Sequence, residues 1–389
     1  MGTFDAIIVG GGPAGCATAL AFVRSAPQAS FLLVDNWDPT QFKVGESLPP
    51  DSKQTLHRLS PSLVEGLLQD TAQGRHSRCA GNASVWQSPD LQETYAIMNP
   101  YGAGWHLDRS AFDETLREQV RSVCAEREAK DCAIIKGTFK SVQKDEHRTW
   151  AVVVASDAGD EQSYSSKWLI DASGRQASVA RKLGAKTTKL DGLLAFYMVF
   201  ASTEVDRDTR TLIEASDNGW WYSSQLPDQR RIVVFHTDDC DSTAKLARNK
   251  DTFLDMLHND TTHVSHAVLD NDYRPMSGPK ANYPRCTAAA SSFLSPFGSQ
   301  EDRWCAVGDA AMAFDPLSSQ GMLTALRSGL SVGAMLANQT LPDAVQNTPE
   351  DVEAVTKVFE AIREDYEKKK RYYYAQSIFR GPFWQRRLE

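Results

Sequence analysis

The apolar run Ala6-Ile7-Ile8-Val9 leads straight into Gly10-Gly11-Gly12-Pro13-Ala14-Gly15, and a second run, Phe31-Leu32-Leu33-Val34, ends in Asp35. Short apolar runs bounded by glycine read as buried strands, and the stretch between them has room for one helix, so residues 1–35 are expected to form a βαβ unit. Ala133 to Phe139, Trp150 to Ala155 and Lys167 to Asp171, separated by polar turns such as Asp157-Ala158-Gly159-Asp160, read as a β-meander followed by a return strand. Residues 186–290 are strand-rich again, with Leu193 to Ala201 and Arg231 to His236 the clearest members. Trp304-Cys305-Ala306-Val307 is a last short strand, Met322 to Leu336 carries a helical apolar period, and Val352 to Phe379 is a charged helix that stops before Gly381-Pro382.

No repeat, low-complexity tract or proline-rich linker divides the 389 residues, so the domains are expected to be excursions from one core. A net charge of −8 argues against nucleic acid as an obligate partner. The first strand starts within a few residues of Met1, which leaves no room for a signal peptide, and the longest apolar stretch is far below the roughly 20 residues of a membrane span. Seven cysteines lie scattered without CxxC pairs, as expected of reduced thiols in a cytoplasmic protein, and no metal-ligand spacing appears.

The glycine run has the spacing of a dinucleotide cradle. Gly10 permits the tight turn, Gly12 and the amides near Pro13 and Ala14 can approach a pyrophosphate, Gly15 lets helix pack on strand, and Asp35 can accept from ribose hydroxyls. Far along the chain, Val307-Gly308-Asp309-Ala310-Ala311 puts a carboxylate at a strand end just before Asp315-Pro316-Leu317-Ser318-Ser319-Gln320-Gly321-Met322. Asp309 is expected on the ribityl hydroxyls of a flavin, with the helix from near Gln320 aiming its free amides at the pyrimidine edge. The plainer alternative is a strand-turn-helix whose Asp only caps. Lys43-Val44-Gly45-Glu46-Ser47-Leu48-Pro49-Pro50 is a loop carrying an uncommitted acid beside a hydroxyl. Gly104 to Arg109 reads as a strand feeding a helix from Ser110, with Asp113 as a near capping box. Arg109 would contact the flavin or its phosphates, or else pair with a surface acid.

Taken together, GGGPAG, VGESLPP, GWHLDRSAFD, Asp171-Ala172-Ser173-Gly174, Gly219-Trp220-Trp221-Tyr222, VGDAAMAFDPLSSQGM and Phe383-Trp384-Gln385-Arg386-Arg387 resemble the FAD proteins of the flavin-dependent halogenase-like superfamily. The motifs are most similar to those of the maturation flavoproteins that oxygenate a protein tryptophan to build cysteine tryptophylquinone in lysine and glycine oxidases. The resemblance implies an α/β fold: a Rossmann-like FAD-binding domain of the three-layer glutathione-reductase type, interleaved with a smaller β-sheet substrate domain, plus C-terminal helices. Residues 1–75, 105–185 and 295–340 would form the first, 76–104 and 186–294 the second, and 341–389 the helical tail. Pro316, Ser319, Gln320, Gly321 and Met322, with Glu46, Ser47 and Arg109, would join the cradle residues around FAD.

The implied activity is FAD-dependent hydroxylation of an electron-rich aromatic, an indole or a tryptophan of a partner protein, through a flavin C4a-hydroperoxide. Glu46 or His106 would move the ring proton, and Trp220, Trp221 and Tyr222 would wall the substrate pocket, although alternate residues of a strand face opposite ways. Reducing equivalents would come from NAD(P)H directly or through a flavin reductase. Halogenation is the first alternative. Tryptophan halogenases carry a lysine on the strand after the GES loop, whereas Arg78 to Trp86 has none, and their acid in the DPxxS loop is Ser318 here. Lys43 or Lys53 is left as a substitute. A double-bond reductase and a non-catalytic assembly factor are the further alternatives.

Overall fold

The computed structural model describes residues 3–38, 40–127, 132–146, 148–276, 284–340 and 351–388. Strand Phe4–Val9 lies in parallel between Phe31–Asp35 and Glu161–Asp171. Cys132–Lys136 and Trp304–Ala306 extend this parallel set at either side. Every one of the central residues Ala6 to Val9 and Phe31 to Val34 is buried, as continuous apolar strands of a covered parallel sheet must be.

The expected strand Ala133 to Phe139 is two strands, Cys132–Lys136 and Thr138–Lys144, which break at Gly137. The break changes partner: the first strand pairs with Phe31–Asp35, the second opens the antiparallel meander through Trp150–Ala155 to Glu161–Asp171. A side chain at Gly137 would lie 2.5 Å from Val154 Cγ1, so glycine is what lets the chain turn there.

Helix Gly321–Thr340 packs directly on helix Pro13–Ser25, and the contact is made by small residues. A Cβ at Gly329 would sit 2.4 Å from Ala14 O, and one at Gly333 2.6 Å from Thr18 O. Backbone-to-backbone approach of this kind brings the two distant segments of the chain together at the glycine cradle. Gly308 continues the seam, its φ of +58° admitting a turn whose Cβ would meet Ala14 Cβ at 2.7 Å.

A second eight-stranded sheet runs in the order Arg274–Pro275, Leu193–Ala201, Arg230–Asp238, Gly219–Leu226, Thr211–Ser216, Gly81–Val85 and Gln92–Tyr95, with Arg285–Ala288 also on Leu193–Ala201. Gly81–Val85 joins it in parallel with Thr211–Ser216, which is why a segment from early in the chain belongs to the later sheet. The adjacent segments His76–Cys79 and Ser47–Leu48 instead both pair with Gly104–Leu107, the central strand of a small three-stranded sheet.

The tail helix spans Val352–Ala375, ending before the expected Phe379, and a short helix Pro382–Gln385 follows. Phe359 and Tyr366 join the core of the first sheet, while Tyr374, Phe383 and Trp384 join that of the second. Residues 341–350, assigned from the sequence to the start of the tail, lie outside the described residues. Among the described residues, no helix is long and apolar enough to cross a membrane.

Candidate functional site

One cavity of about 520 Å³ lies between the two sheets, and residues from both ends of the chain line it. Gly10 has φ +114° and would place a Cβ 2.2 Å from Ala172 O, so only glycine fits the turn. Gly15 sits behind the cavity rather than on it: its Cβ would be 1.8 Å from Gly10 O, the contact that seats helix on strand. At Gly12 a Cβ would meet nothing within 4 Å, because that face opens onto the cavity. Helix Pro13–Ser25 starts there with no side-chain cap, leaving its first amides free for an anion.

Asp35 lines the same end. Burial raises its pKa, partly offset by the Gly11 backbone and by Arg117. Arg117 is itself buried, donates to Gly11 O at 3.1 Å and pairs with Glu114, tying helix Arg109–Ala125 to the glycine turn. The expected cap of that helix is corrected: Asp108, not a box through Asp113, accepts from Ala111 N at 3.0 Å. Asp113 is buried and holds Lys43 at 2.9 Å and Arg109 at 3.3 Å. Burial pushes its carboxyl up, but Arg109, Lys43 and Arg117 together hold it below the usual carboxylate value.

Arg109 reaches across to the loop, donating to Val44 O at 3.1 Å and Gly45 O at 2.9 Å. Its Nε is buried with no partner. The clamp presents Glu46 and Ser47 to the cavity. Glu46 accepts from Ser224 Oγ at 3.0 Å and from the Gly45 amide at 3.1 Å, and Ser47 Oγ lies 2.9 Å from Tyr222 OH. Burial and the Glu46 charge hold the Tyr222 hydroxyl protonated far into the alkaline range.

On the opposite wall, Asp309 is raised by burial despite Arg175, whose Nε stands 3.5 Å away. Arg175 also donates to Ala290 O and Phe314 O, which ties the turn after Glu161–Asp171 to these two later segments. Pro316, Ser319, Gln320, Gly321 and Met322 line the cavity where helix Gly321–Thr340 begins. Ser319 takes φ +50°, turning the chain so that the unpaired first amides of the helix face inward.

Three expected site residues are placed elsewhere. His106 is fully buried off the cavity, with Nε2 2.9 Å from Thr211 Oγ1 and Cys79 beside it. Its register partner Ser47 lines the cavity, but no residue of Gly104–Leu107 does. Trp221 points to the far face, against Phe235 and Phe253. Trp220 shares the Tyr222 face, as alternation demands, yet lies behind His236, stacked on it at 3.7 Å. Of the three aromatic residues, Tyr222 alone lines the cavity. Lys43, kept from the sequence as a stand-in for the halogenase lysine, lines it, and so do Arg175, Tyr197 and His236, which were not singled out; an alternating-face reading of Leu193 to Ala201 and Arg231 to His236 would have reached the last two.

The residues fit FAD. Free helix-start amides at Gly12 and at Gly321, an open Gly12 face, two cavity carboxylates in Asp35 and Asp309, and a buried unpartnered Arg109 Nε supply acceptors for hydroxyls and donors for phosphate and flavin edge.

No family model matches the chain. The FAD-dependent oxidoreductase LodB of Marinomonas mediterranea is 26% identical over 388 residues, covering 100% of this chain and 97% of that protein. Among solved structures, the myxobacterial chondrochloren halogenase CndH superposes with a TM-score of 0.79 at 20% identity, over 100% of this chain and 86% of the other. The chain is an FAD-dependent oxidoreductase, similar in sequence to LodB and in fold to flavin-dependent halogenases. The peptidyl tryptophan dihydroxylase QhpG, described as essential for tryptophylquinone cofactor biogenesis, shares the fold of this oxidoreductase at a TM-score of 0.74 and 20% identity, over 99% of this chain and 79% of the other.

Proposed function

We propose that this oxidoreductase is a monooxygenase that hydroxylates an electron-rich aromatic ring, either a free indole or a tryptophan carried by a partner protein. The observation that carries the proposal is a continuous cavity running from the glycine cradle to a face of Tyr197, Tyr222 and His236, where a flat ring can lie beside the turn at Ser319 to Met322. Reduced FAD, when bound, supplies activated dioxygen for transfer to the ring.

The chain's own residues bind and orient. Asp35 and Asp309 accept hydroxyl hydrogen bonds, the amides at Gly12 and Gly321 favour negative charge, and Arg109 fixes the Glu46 loop against the cavity. Glu46, held by Ser224 and the Gly45 amide, is the acceptor for the proton that the ring gives up, and Tyr222 beside it stays protonated as a donor. Apolar lining from Ala195, Val234 and Phe314 keeps water from the ring.

Halogenation is disfavoured by where the lysines are. Lys43 is ion-paired to Asp113 at 2.9 Å, and Lys53 stands over the Trp105 ring at 5.3 Å, so neither stands free as a carrier of an oxidised halogen. The fold shared with QhpG, a peptidyl tryptophan dihydroxylase, supports a tryptophan or indole substrate. Reductant is NAD(P)H, used directly or through a partner flavin reductase. The test supplies FAD-loaded protein with reductant, dioxygen, bromide and indole: a hydroxylated ring is expected, and a brominated one returns the protein to the halogenases.

A further inference from the structure

His236 lines the cavity at 3% exposure, and its Nδ1 has no hydrogen-bond partner. An unpaired imidazole nitrogen this deep is costly unless something else satisfies it. Burial, reinforced by the charge of Arg387, lowers its pKa to about 3, while a backbone interaction with Trp220 only partly opposes this. The ring is therefore neutral at any working pH, with one nitrogen a donor and the other an acceptor.

Its surroundings fix its position. Trp220, directly opposite in register, lies parallel to the imidazole at 3.7 Å and 10°. Trp220 cannot swing away, because it is fully buried and its Nε1 donates to Tyr374 OH at 3.1 Å. On the other side the register partner of His236 is Ala195, and beyond Ala195 comes Thr287, which also lines the cavity. Strands stand about 4.8 Å apart, so His236 and Thr287 flank a floor roughly 10 Å wide with only a methyl group at its centre. That floor is flat, apolar in the middle and polar at its ends.

We infer that His236 reads the substrate: it accepts a hydrogen bond from a ring N–H or O–H of an aromatic molecule laid over Ala195, and so selects donor-bearing rings over purely carbocyclic ones. The inference rests on the assignment of this cavity to an aromatic oxygenase and narrows its substrate class. A ring that lacks the donor leaves the imidazole nitrogen unpaired inside the cavity, which is the physical basis of the selection.

The test measures equilibrium binding of indole and of indene, its counterpart without the N–H, to oxidised FAD-loaded protein by perturbation of the flavin absorbance. Wild type should bind indole about tenfold more tightly than indene. His236→Phe, which keeps an aromatic ring for Trp220 to stack on, should bind both alike, and His236→Gln should restore part of the preference. Equal binding by wild type, no binding of either ring, or an unchanged preference in His236→Phe would each overturn the inference. Product formation is read separately: a His236-dependent preference without any oxygenated product removes the proposed reaction and leaves the donor selection standing.

Discussion

Tyr374 donates a 2.8 Å hydrogen bond to Asp315 Oδ2 and at the same time receives one from Trp220 Nε1 at 3.1 Å. A second tail residue, Tyr366, accepts from the Asp315 amide at 2.9 Å. The C-terminal helix thus holds the turn that leads into the cavity-facing helix start, and ties that turn to the sheet carrying His236. Tyr374→Phe removes one hydroxyl but leaves two buried groups unpaired, a cost of about 1–3 kcal/mol. Thermal melting should fall by several degrees and FAD affinity should weaken with it; an unchanged melt and unchanged affinity would show the tail to be a bystander.

Two cradle glycines, Gly15 and Gly12, should separate in behaviour. Gly15→Ala forces a Cβ to 1.8 Å from Gly10 O and should destabilise the apoprotein by more than the ~1–3 kcal/mol usual for overpacking. Gly12→Ala meets nothing in the protein, so its apoprotein should melt like wild type while FAD binding drops at least tenfold. Equal FAD affinity in Gly12→Ala would mean that no pyrophosphate approaches that backbone.

His236 makes stability depend on pH with a definite sign. Its folded pKa, about 3, lies below its free value of 6.5, so the unfolded chain takes up the proton first. The native state is unpenalised above 6.5 and loses about 1.4 kcal/mol per pH unit as pH falls from there toward 3. Asp113 and Asp238 add their own loss only nearer and below 3.8, whereas buried His76 adds a loss of the same sign in the His236 window and the raised carboxyls of Asp35, Asp309 and Asp315 act the opposite way, so the His236 share is the difference between wild type and His236→Phe. Denaturant melts across that window should steepen for wild type relative to His236→Phe; parallel curves would contradict the buried neutral ring.

His106 acts on a thiol instead of on the cavity. Burial raises the Cys79 thiol, but His106, the Gly81 backbone and Thr211 together bring it down to about 7. Iodoacetamide should label Cys79 with a midpoint near pH 7 in wild type, moving toward 9 in His106→Gln. A midpoint that stays put in the variant would break the link between the two residues.

What was legible in the sequence follows from distance along the chain. Gly10 to Asp35 is local: turn, helix start and strand end are fixed by spacing within one βαβ unit, and all but Gly15 among its named residues line the cavity. Asp309 and Met322 are equally local to their turn, and glycine seams at Gly329 and Gly333 bring them to the cradle. Trp220 and Trp221 drew attention as large aromatics beside Tyr222, yet alternation sends one outward and a stacked histidine screens the other. His236, Arg175 and Tyr374 carry no motif, because each gains its role from partners in distant segments, and only the assembled register shows the face that His236 shares with Ala195 and Thr287.

The most direct measurement is mass spectrometry of the indole product formed by FAD-loaded protein with reductant, bromide and isotopically labelled dioxygen. An indole ring bearing one labelled oxygen and no bromine is the predicted result. A brominated ring, or turnover of reductant with no labelled oxygen in the product, contradicts it.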